Sequence, residues 1–224
     1  TELLIATNQH VVNSAEELTV CFSVDADEDE KLVPAQVKGT DSTWDLAVIA
    51  VNLSDISEDV TIPAGKNIVL NLGGFTLTNK SNHTITNNGK LTIEGTGTVD
   101  NITHGKAAVY NNVGGTVILN GGTYTRSKEN GQSASASGGN SYYNIVNWGE
   151  MTINDGVEVK QSGHFSSMIE NGFYDGTGKA NNPKLTINGG TFSGGLNTVK
   201  NDDRGILEVK GGTFSNVSQA ALLN

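Results

Sequence analysis

The sequence predicts an all-β protein: a solenoid of short stacked strands over residues 58–224, preceded by a separate β segment over 1–57 that acts as its cap. Three observations carry this. First, an aliphatic residue followed two places later by Asn recurs along the chain, and six such pairs stand near a second apolar stretch: Ile85/Asn87, Val109/Asn111, Ile145/Asn147, Ile169/Asn171, Val199/Asn201 and Leu222/Asn224. Second, a ladder of apolar pairs runs between them: Leu70/Leu72, Leu91/Ile93, Val117/Leu119, Met151/Ile153, Leu185/Ile187 and Leu207/Val209. Their first members lie 21, 26, 34, 34 and 22 residues apart, the spacing of a coil that repeats at its shortest near 21–22 and accepts insertions. Third, 28 Gly against three Pro, with few aromatics, suit short strands joined by tight turns.

Composition also bounds function. A formal net charge of −10 repels nucleic acid and anionic membrane surfaces. The single Cys21 forms no intrachain disulfide, so the redox compartment stays open. No apolar run reaches the length of a membrane span, and no phosphate loop, metal motif or nucleotide fingerprint occurs. Cofactors and metals are therefore expected to be none. Thr1 is not an initiator residue, which predicts a processed or trimmed N-terminus.

The first 57 residues stand outside the repeat. They open with an apolar strand leading into Thr7-Asn8-Gln9-His10-Val11-Val12, followed by the alternating run Leu18–Ser23. Ala35–Asp41 and Trp44-Asp45-Leu46-Ala47-Val48-Ile49 complete the segment. This series resembles the N-terminal barrel of trypsin-like serine proteases of the HtrA/Deg type. There a strand leads into Thr-Asn-x-His-Val-Val, and a later Asp-Leu-Ala-Val carries the carboxylate. The resemblance implies that His10 is the catalytic base and that Asp45 orients it. It also exposes a departure. The family's nucleophile lies in Gly-Asn-Ser-Gly-Gly on a second barrel, and here only Gly139-Asn140-Ser141 is comparable, with Tyr142-Tyr143 in place of the glycines. The triad is read as incomplete and inactive. Half a barrel leaves strand edges uncovered, which predicts that the segment packs on the first coil as a cap. Natural recombination and an artefact of gene assembly both account for such a join.

From Asp59 the strands follow in order, with Pro63 suited to a corner of the first turn. Asn88-Gly89-Lys90-Leu91-Thr92-Ile93-Glu94-Gly95 returns as Gly149–Gly156 and as Pro183–Gly189. Alternation turns Leu91 and Ile93 inward and Thr92 and Glu94 outward. Gly-Gly-Thr-aromatic follows at 121–124, 189–192 and 211–214. This strand, corner, strand repeat resembles the right-handed parallel β-helix of the pectin-lyase-like superfamily, a single-stranded solenoid. The recurring Asn87, Asn111, Asn147, Asn171, Asn201 and Asn224 read as a structural ladder whose amides bond between adjacent turns. Residues 126–143 and 172–183 interrupt the rhythm as polar excursions, and insertions on repeats often carry binding. Ala221–Asn224 begins a further turn, so the open end is expected to cap itself, to be covered by a second copy, or to continue in a longer chain.

Three functions follow as expectations. The first is a non-catalytic, bacterial, secreted or cell-surface protein of adhesin type that binds a polysaccharide or host-surface glycan. Its binding residues would be Tyr142, Tyr143, Phe173, Tyr174, Asp202, Asp203 and Arg204, with self-association through the open end. The second is a polysaccharide lyase or glycoside hydrolase working through Asp202, Asp203 and Arg204. The third is an inactive remnant of an HtrA-type protease built on His10 and Asp45. His83, His104 and His164 show no metal-ligand spacing and read as surface or corner residues.

Overall fold

The computed structural model describes residues 2–21, 32–52, 59–129, 142–173 and 182–224. The chain divides into two compact units, Thr1–Ser57 and Glu58–Asn224.

The first unit is a four-stranded antiparallel sheet in the order β1-β4-β3-β2, built from β1 (Glu2–Thr7), β2 (Thr19–Cys21), β3 (Leu32–Asp41) and β4 (Leu46–Asn52). One helical turn, α1 (Gln9–Val12), follows β1. Alternation places Ile5 and Ile49 on one face, where Val12 and Ala47 join them and Leu18, Val20 and Ala35 close the core. The core is small for the sheet it serves. Leu4, Val37, Leu46 and the adjoining Trp44 are exposed.

The second unit is built of parallel strands in threes. The first coils contain β5 (Val60–Ile62), β6 (Asn67–Asn71) and β7 (Phe75–Asn79), then β8 (Ile85–Asn87), β9 (Lys90–Glu94) and β10 (Gly97–Asn101). Next come β11 (Val109–Asn111), β12 (Thr116–Leu119) and β13 (Gly122–Thr125), then β14 (Ile145–Asn147), β15 (Glu150–Ile153) and β16 (Val157–Lys160). The last are β17 (Ile169–Asn171), β18 (Lys184–Ile187) and β19 (Thr191–Ser193), then β20 (Asn197–Asn201), β21 (Ile206–Val209) and β22 (Thr213–Ser215), with β23 (Ala220–Leu223) beginning another. Every third strand is a neighbour, so the unit has three parallel sheets, one of seven strands and two of six. The chain visits each sheet once per coil.

Register is the same throughout. Leu91, Val117, Met151, Leu185 and Leu207 are stacked partners, as are Ile93, Leu119, Ile153, Ile187 and Val209. From Leu91 to Ile187 these pairs are buried, each side chain contributing about 1.5–3 kcal/mol by leaving water. In the third sheet Tyr124 and Phe192 are buried in register with Val159 between them, and Phe192 stacks on Phe214 with ring centres 4.8 Å apart.

The first coil corrects the sequence reading. Ile68 partners Leu91 and Leu70 partners Ile93, so its inward pair is Ile68/Leu70 and not Leu70/Leu72. Leu72 lies beyond the strand, at a corner, and is buried there against two glycines. A Cβ on Gly97 would lie 2.6 Å from Leu72 Cβ, and Gly97 has φ +146°.

The six asparagines form one continuous hydrogen-bonded column. Asn87 Nδ2 donates to Asn111 Oδ1 at 2.8 Å, Asn111 to Asn147 at 2.8 Å, and Asn147 to Asn171 at 2.8 Å. Asn171 donates to Asn201 at 2.7 Å and Asn201 to Asn224 at 2.7 Å. Each second amide proton goes to backbone carbonyls of the same corner; Asn111 reaches Gly115 O at 3.2 Å and Glu150 O at 3.0 Å. Glycine follows for lack of space: a Cβ on Gly149 would lie 2.9 Å from Asn111 Nδ2 and 2.7 Å from Asn112 O. A second, exposed column joins Asn188 to Asn154 at 2.8 Å and Asn154 to Asn120 at 2.7 Å.

Asn111→Ala and Asn147→Ala should each cost about 3–5 kcal/mol, because each strands buried donors and acceptors above and below. Asn224→Ala, at an exposed position, should cost under about 1 kcal/mol. Urea unfolding of the three variants checks this. Equal losses at all three positions would mean that the column does not hold the register.

Candidate active site

The antiparallel register of the first unit assembles this site. Thr7 at the end of β1 partners Ala47 near the start of β4. The residues just past one strand and just before the other therefore meet, although 35 residues separate His10 from Asp45. Asp41 prepares the approach by accepting the Thr43 and Trp44 backbone N–H groups at 2.8 and 3.3 Å, a side-chain-closed turn. Asp45 then adopts φ +50°, a left-handed conformation that Asp tolerates better than most residues. The Gln9 N–H donates to the Asp45 carbonyl at 3.1 Å and locks the crossing.

His10 Nδ1 lies 2.6 Å from Asp45 Oδ2, and the His10 backbone N–H donates to Asp45 Oδ1 at 2.9 Å. The Asn8 side-chain amide donates to Oδ2 at 3.1 Å. The His10 backbone N–H holds the Asp45 carboxyl below its ordinary value; the His10 ring and Asn8 add to this, against a smaller opposing effect of desolvation. An ionised Asp45 requires the proton of a neutral imidazole to sit on Nδ1, which leaves the Nε2 lone pair as the basic site. That base faces solvent, since the His10 side chain is 70% exposed and that of Asp45 43%. Among the described residues no serine reaches Nε2. Ser141 lies outside the described residues.

The other expected site residues belong to the parallel unit, where Phe173 bridges the ring row to the corner that holds Asp203. Tyr142, Tyr143 and Phe173 join a row of rings that includes His83, read from the sequence as a surface or corner residue, and Tyr110 and Trp148, which the sequence reading left out. His83 stacks on Tyr110 at 4.3 Å, Tyr110 meets Trp148 at 5.3 Å, and Trp148 meets Phe173 at 5.2 Å. Tyr142 approaches His83 at 6.4 Å and Tyr143 at 5.2 Å. Burial, with a further contribution from Lys106, pushes His83 down to about 4. Its neutral Nδ1 accepts the Ala107 N–H at 2.9 Å, so His83, between β7 and β8, is a packed corner residue. Tyr174 lies outside the described residues.

Asp202, Asp203 and Arg204 occupy the corner between β20 and β21. Lys200 Nζ pairs with Asp202 at 2.7 Å, the Asp203 carbonyl accepts the Phe173 N–H at 3.2 Å, and Arg204 takes φ +62°. Each has a local structural engagement.

The excursion assigned to residues 126–143 begins later than the sequence suggested. Arg126 and Glu129 are fully buried and paired at 3.2 Å. Arg126 also donates to Asn101 Oδ1 at 3.3 Å, Thr103 O at 3.0 Å and Lys106 O. Glu129 accepts the N–H groups of Tyr142 at 3.0 Å and Ser166 at 3.2 Å. A polar run thus reads as a loop but clamps three corners together. No helix among the described residues is long and apolar enough to cross a membrane.

The Asp45 shift fixes the sign of a pH effect. A carboxylate whose folded value is depressed stabilises the fold fully above its unfolded value and loses that contribution as pH falls through the folded value. Asp45→Asn should therefore lower the melting temperature of the first unit at about pH 7, and the difference from wild type should close on acidification below about pH 4. Amide NMR signals of β1 and β4, followed with temperature in the intact chain, provide the measurement. A difference that does not change with pH would remove the carboxylate from the stability of this unit.

No curated protein and no solved structure matches this chain. The family model of the trypsin-like peptidase domain matches residues 1–141. The match takes in the whole antiparallel unit, with His10 and Asp45, and continues through β13 of the parallel unit. By this match over more than half its length, the chain belongs to the trypsin-like peptidase domain family.

Proposed function

We propose that this chain is a trypsin-like peptidase of HtrA/Deg type reduced to the base-and-carboxylate half of its triad, and that it is silent as a peptidase. The observation that carries this reading is the 2.6 Å contact between His10 Nδ1 and Asp45 Oδ2, set within a family match that spans both residues. Asp45 would hold the imidazole in the tautomer that presents Nε2, and Nε2 would take a proton from a hydroxyl brought within about 2.6–3.2 Å. What is lacking is the rest of the chemistry. The candidate turn Gly139-Asn140-Ser141 runs into Tyr142-Tyr143, where glycines would shape the oxyanion hole. Loss of one such donor alone raises the barrier by about 2.7–4 kcal/mol.

A serine-directed fluorophosphonate should leave the purified chain unlabelled, and peptide substrates should remain intact. Labelling that maps to a serine and disappears in His10→Ala would overturn the reading.

A second reading concerns Glu58–Asn224, and the continuous aromatic row favours it. We infer that these parallel coils form a right-handed β-helix of pectin-lyase-like kind, the hand that parallel crossovers almost always take. On a secreted or cell-surface protein, such a unit would bind a polysaccharide through Tyr142, Tyr143 and the rings beside them. Tyr142→Ala should then weaken binding to a responsive glycan on an array by about tenfold or more. The absence of any responsive glycan would sink this reading.

A further inference from the structure

Among the described residues, Asp45 takes all its polar contacts from three consecutive positions. His10 contributes its backbone N–H to Oδ1 at 2.9 Å and Nδ1 to Oδ2 at 2.6 Å. Gln9 contributes its N–H to the carbonyl at 3.1 Å. Asn8 contributes one amide nitrogen to both Oδ2, at 3.1 Å, and the carbonyl, at 3.3 Å.

These contacts divide the work. The carbonyl bonds hold the Asp45 backbone in its left-handed conformation at the crossing. The bond from His10 N–H fixes Oδ1, so rotation about the last side-chain torsion would have to break it. The Asn8 bond to Oδ2 then acts on the oxygen that faces the imidazole. With the His10 side chain 70% exposed, water competes for the same oxygen, and a carboxylate secured at one oxygen only could swing Oδ2 away. A second donor on Oδ2 opposes that swing.

We infer that Asn8 is a positioning residue of the His10–Asp45 pair: its amide keeps Oδ2 against His10 Nδ1, and so holds the imidazole as the Nδ1–H tautomer with donors drawn from this unit alone. The inference rests on reading the pair as a trypsin-like base and carboxylate, but it requires no nucleophile. Asn8 touches no reacting atom; it acts through Asp45. A half-triad that carries its own donor keeps its geometry when nothing else of the active site is present.

The test reads the tautomer directly. Nitrogen-15 NMR of the full labelled chain near neutral pH distinguishes Nδ1–H from Nε2–H in His10, and free imidazole side chains favour Nε2–H. The wild-type chain should show His10 mainly as Nδ1–H. In Asn8→Ala the ratio of Nδ1–H to Nε2–H should fall by about threefold or more, the effect of losing one net hydrogen bond. Asn8→Asp keeps the size, removes the donor and sets a second negative charge beside Oδ2; it should shift the ratio in the same direction. Asn8 is exposed and lies outside the sheet core, so the Thr7 and Ala47 amide signals should stay in place in both variants. A wild-type His10 that is mainly Nε2–H, or a wild-type ratio in either variant, would overturn the inference. Serine-directed labelling cannot move this readout, so the two results separate failure of the positioning role from failure of the silent-peptidase reading.

Discussion

The parallel unit depends on one constraint: a buried amide must find partners at every turn of the coil. Asn87, Asn111, Asn147 and Asn171 are wholly enclosed, and an unpartnered buried donor or acceptor costs about 1–3 kcal/mol. Such a group is satisfied only if the next coil places its own asparagine directly above. A slip by one residue would reverse the inward and outward faces, and a slip by two would still break the column. An insertion can stand beside the column if the amide bonds still close: residues 172–183 separate Asn171 from β18, yet Asn171 accepts from Asn147 at 2.8 Å and donates to Asn201 at 2.7 Å. The chain length from Asn111 to Asn147 exceeds that from Asn87 to Asn111, yet both steps close with the same 2.8 Å bond. At Gly115, Gly149 and Gly205 the column amides leave no room for a Cβ, whereas Pro183 takes the equivalent place in the coil that carries residues 172–183.

This is why so much of the coil was legible. Alternation identifies the inward faces, and identical residues recurring at one place are visible without coordinates. The failures have a physical pattern. Leu72 continues the alternation of Leu70, but a corner intervenes, and where a strand bends depends on neighbours in the next coils. Arg126 and Glu129 sit in a run of small and charged residues that reads as solvent-facing. Their partners Asn101, Thr103, Lys106 and Ser166 lie 20 or more residues away and carry no local signal. Burial of a satisfied ion pair is a property of the tertiary network, not of the segment that contains it. The aromatic row was half legible for the same reason: Tyr142 and Phe173 stand in visible insertions, while Tyr110 and Trp148 lie within the regular repeat.

In the antiparallel unit the motif residues were legible and their support was not. His10 and Asp45 stand out by their neighbours in the chain. The role of Asn8 depends on φ +50° at Asp45 and on the crossing of two chain segments, neither of which composition reveals. The geometry also differs in kind from a buried triad. An exposed ion pair gains little from Coulomb attraction, because water screens it. This pair is held by local geometry: one end of β1, one end of β4 and five hydrogen bonds from residues 8–10 to Asp45.

That distinction bears on what the pair can accomplish. A base fixed in its tautomer is a necessary part of acyl transfer but contributes little alone, because triad members act as a unit and their effects are far from additive. Proton removal accelerates the reaction only when a hydroxyl is in line and the developing oxyanion meets aligned donors. A retained His–Asp contact is thus compatible with complete loss of activity, since the register of β1 on β4 maintains it at no cost in chemistry. Family membership and fold also separate here. The match to the trypsin-like domain runs to residue 141, yet from Val60 onward the strands pair in parallel. An antiparallel barrel strand and a coil strand share alternation and β-branched composition, so similarity of sequence persists across the boundary where the pairing changes. What the protein does must therefore be argued from its sites. By that standard the site with recognisable chemistry among the described residues is the one His10 and Asp45 form.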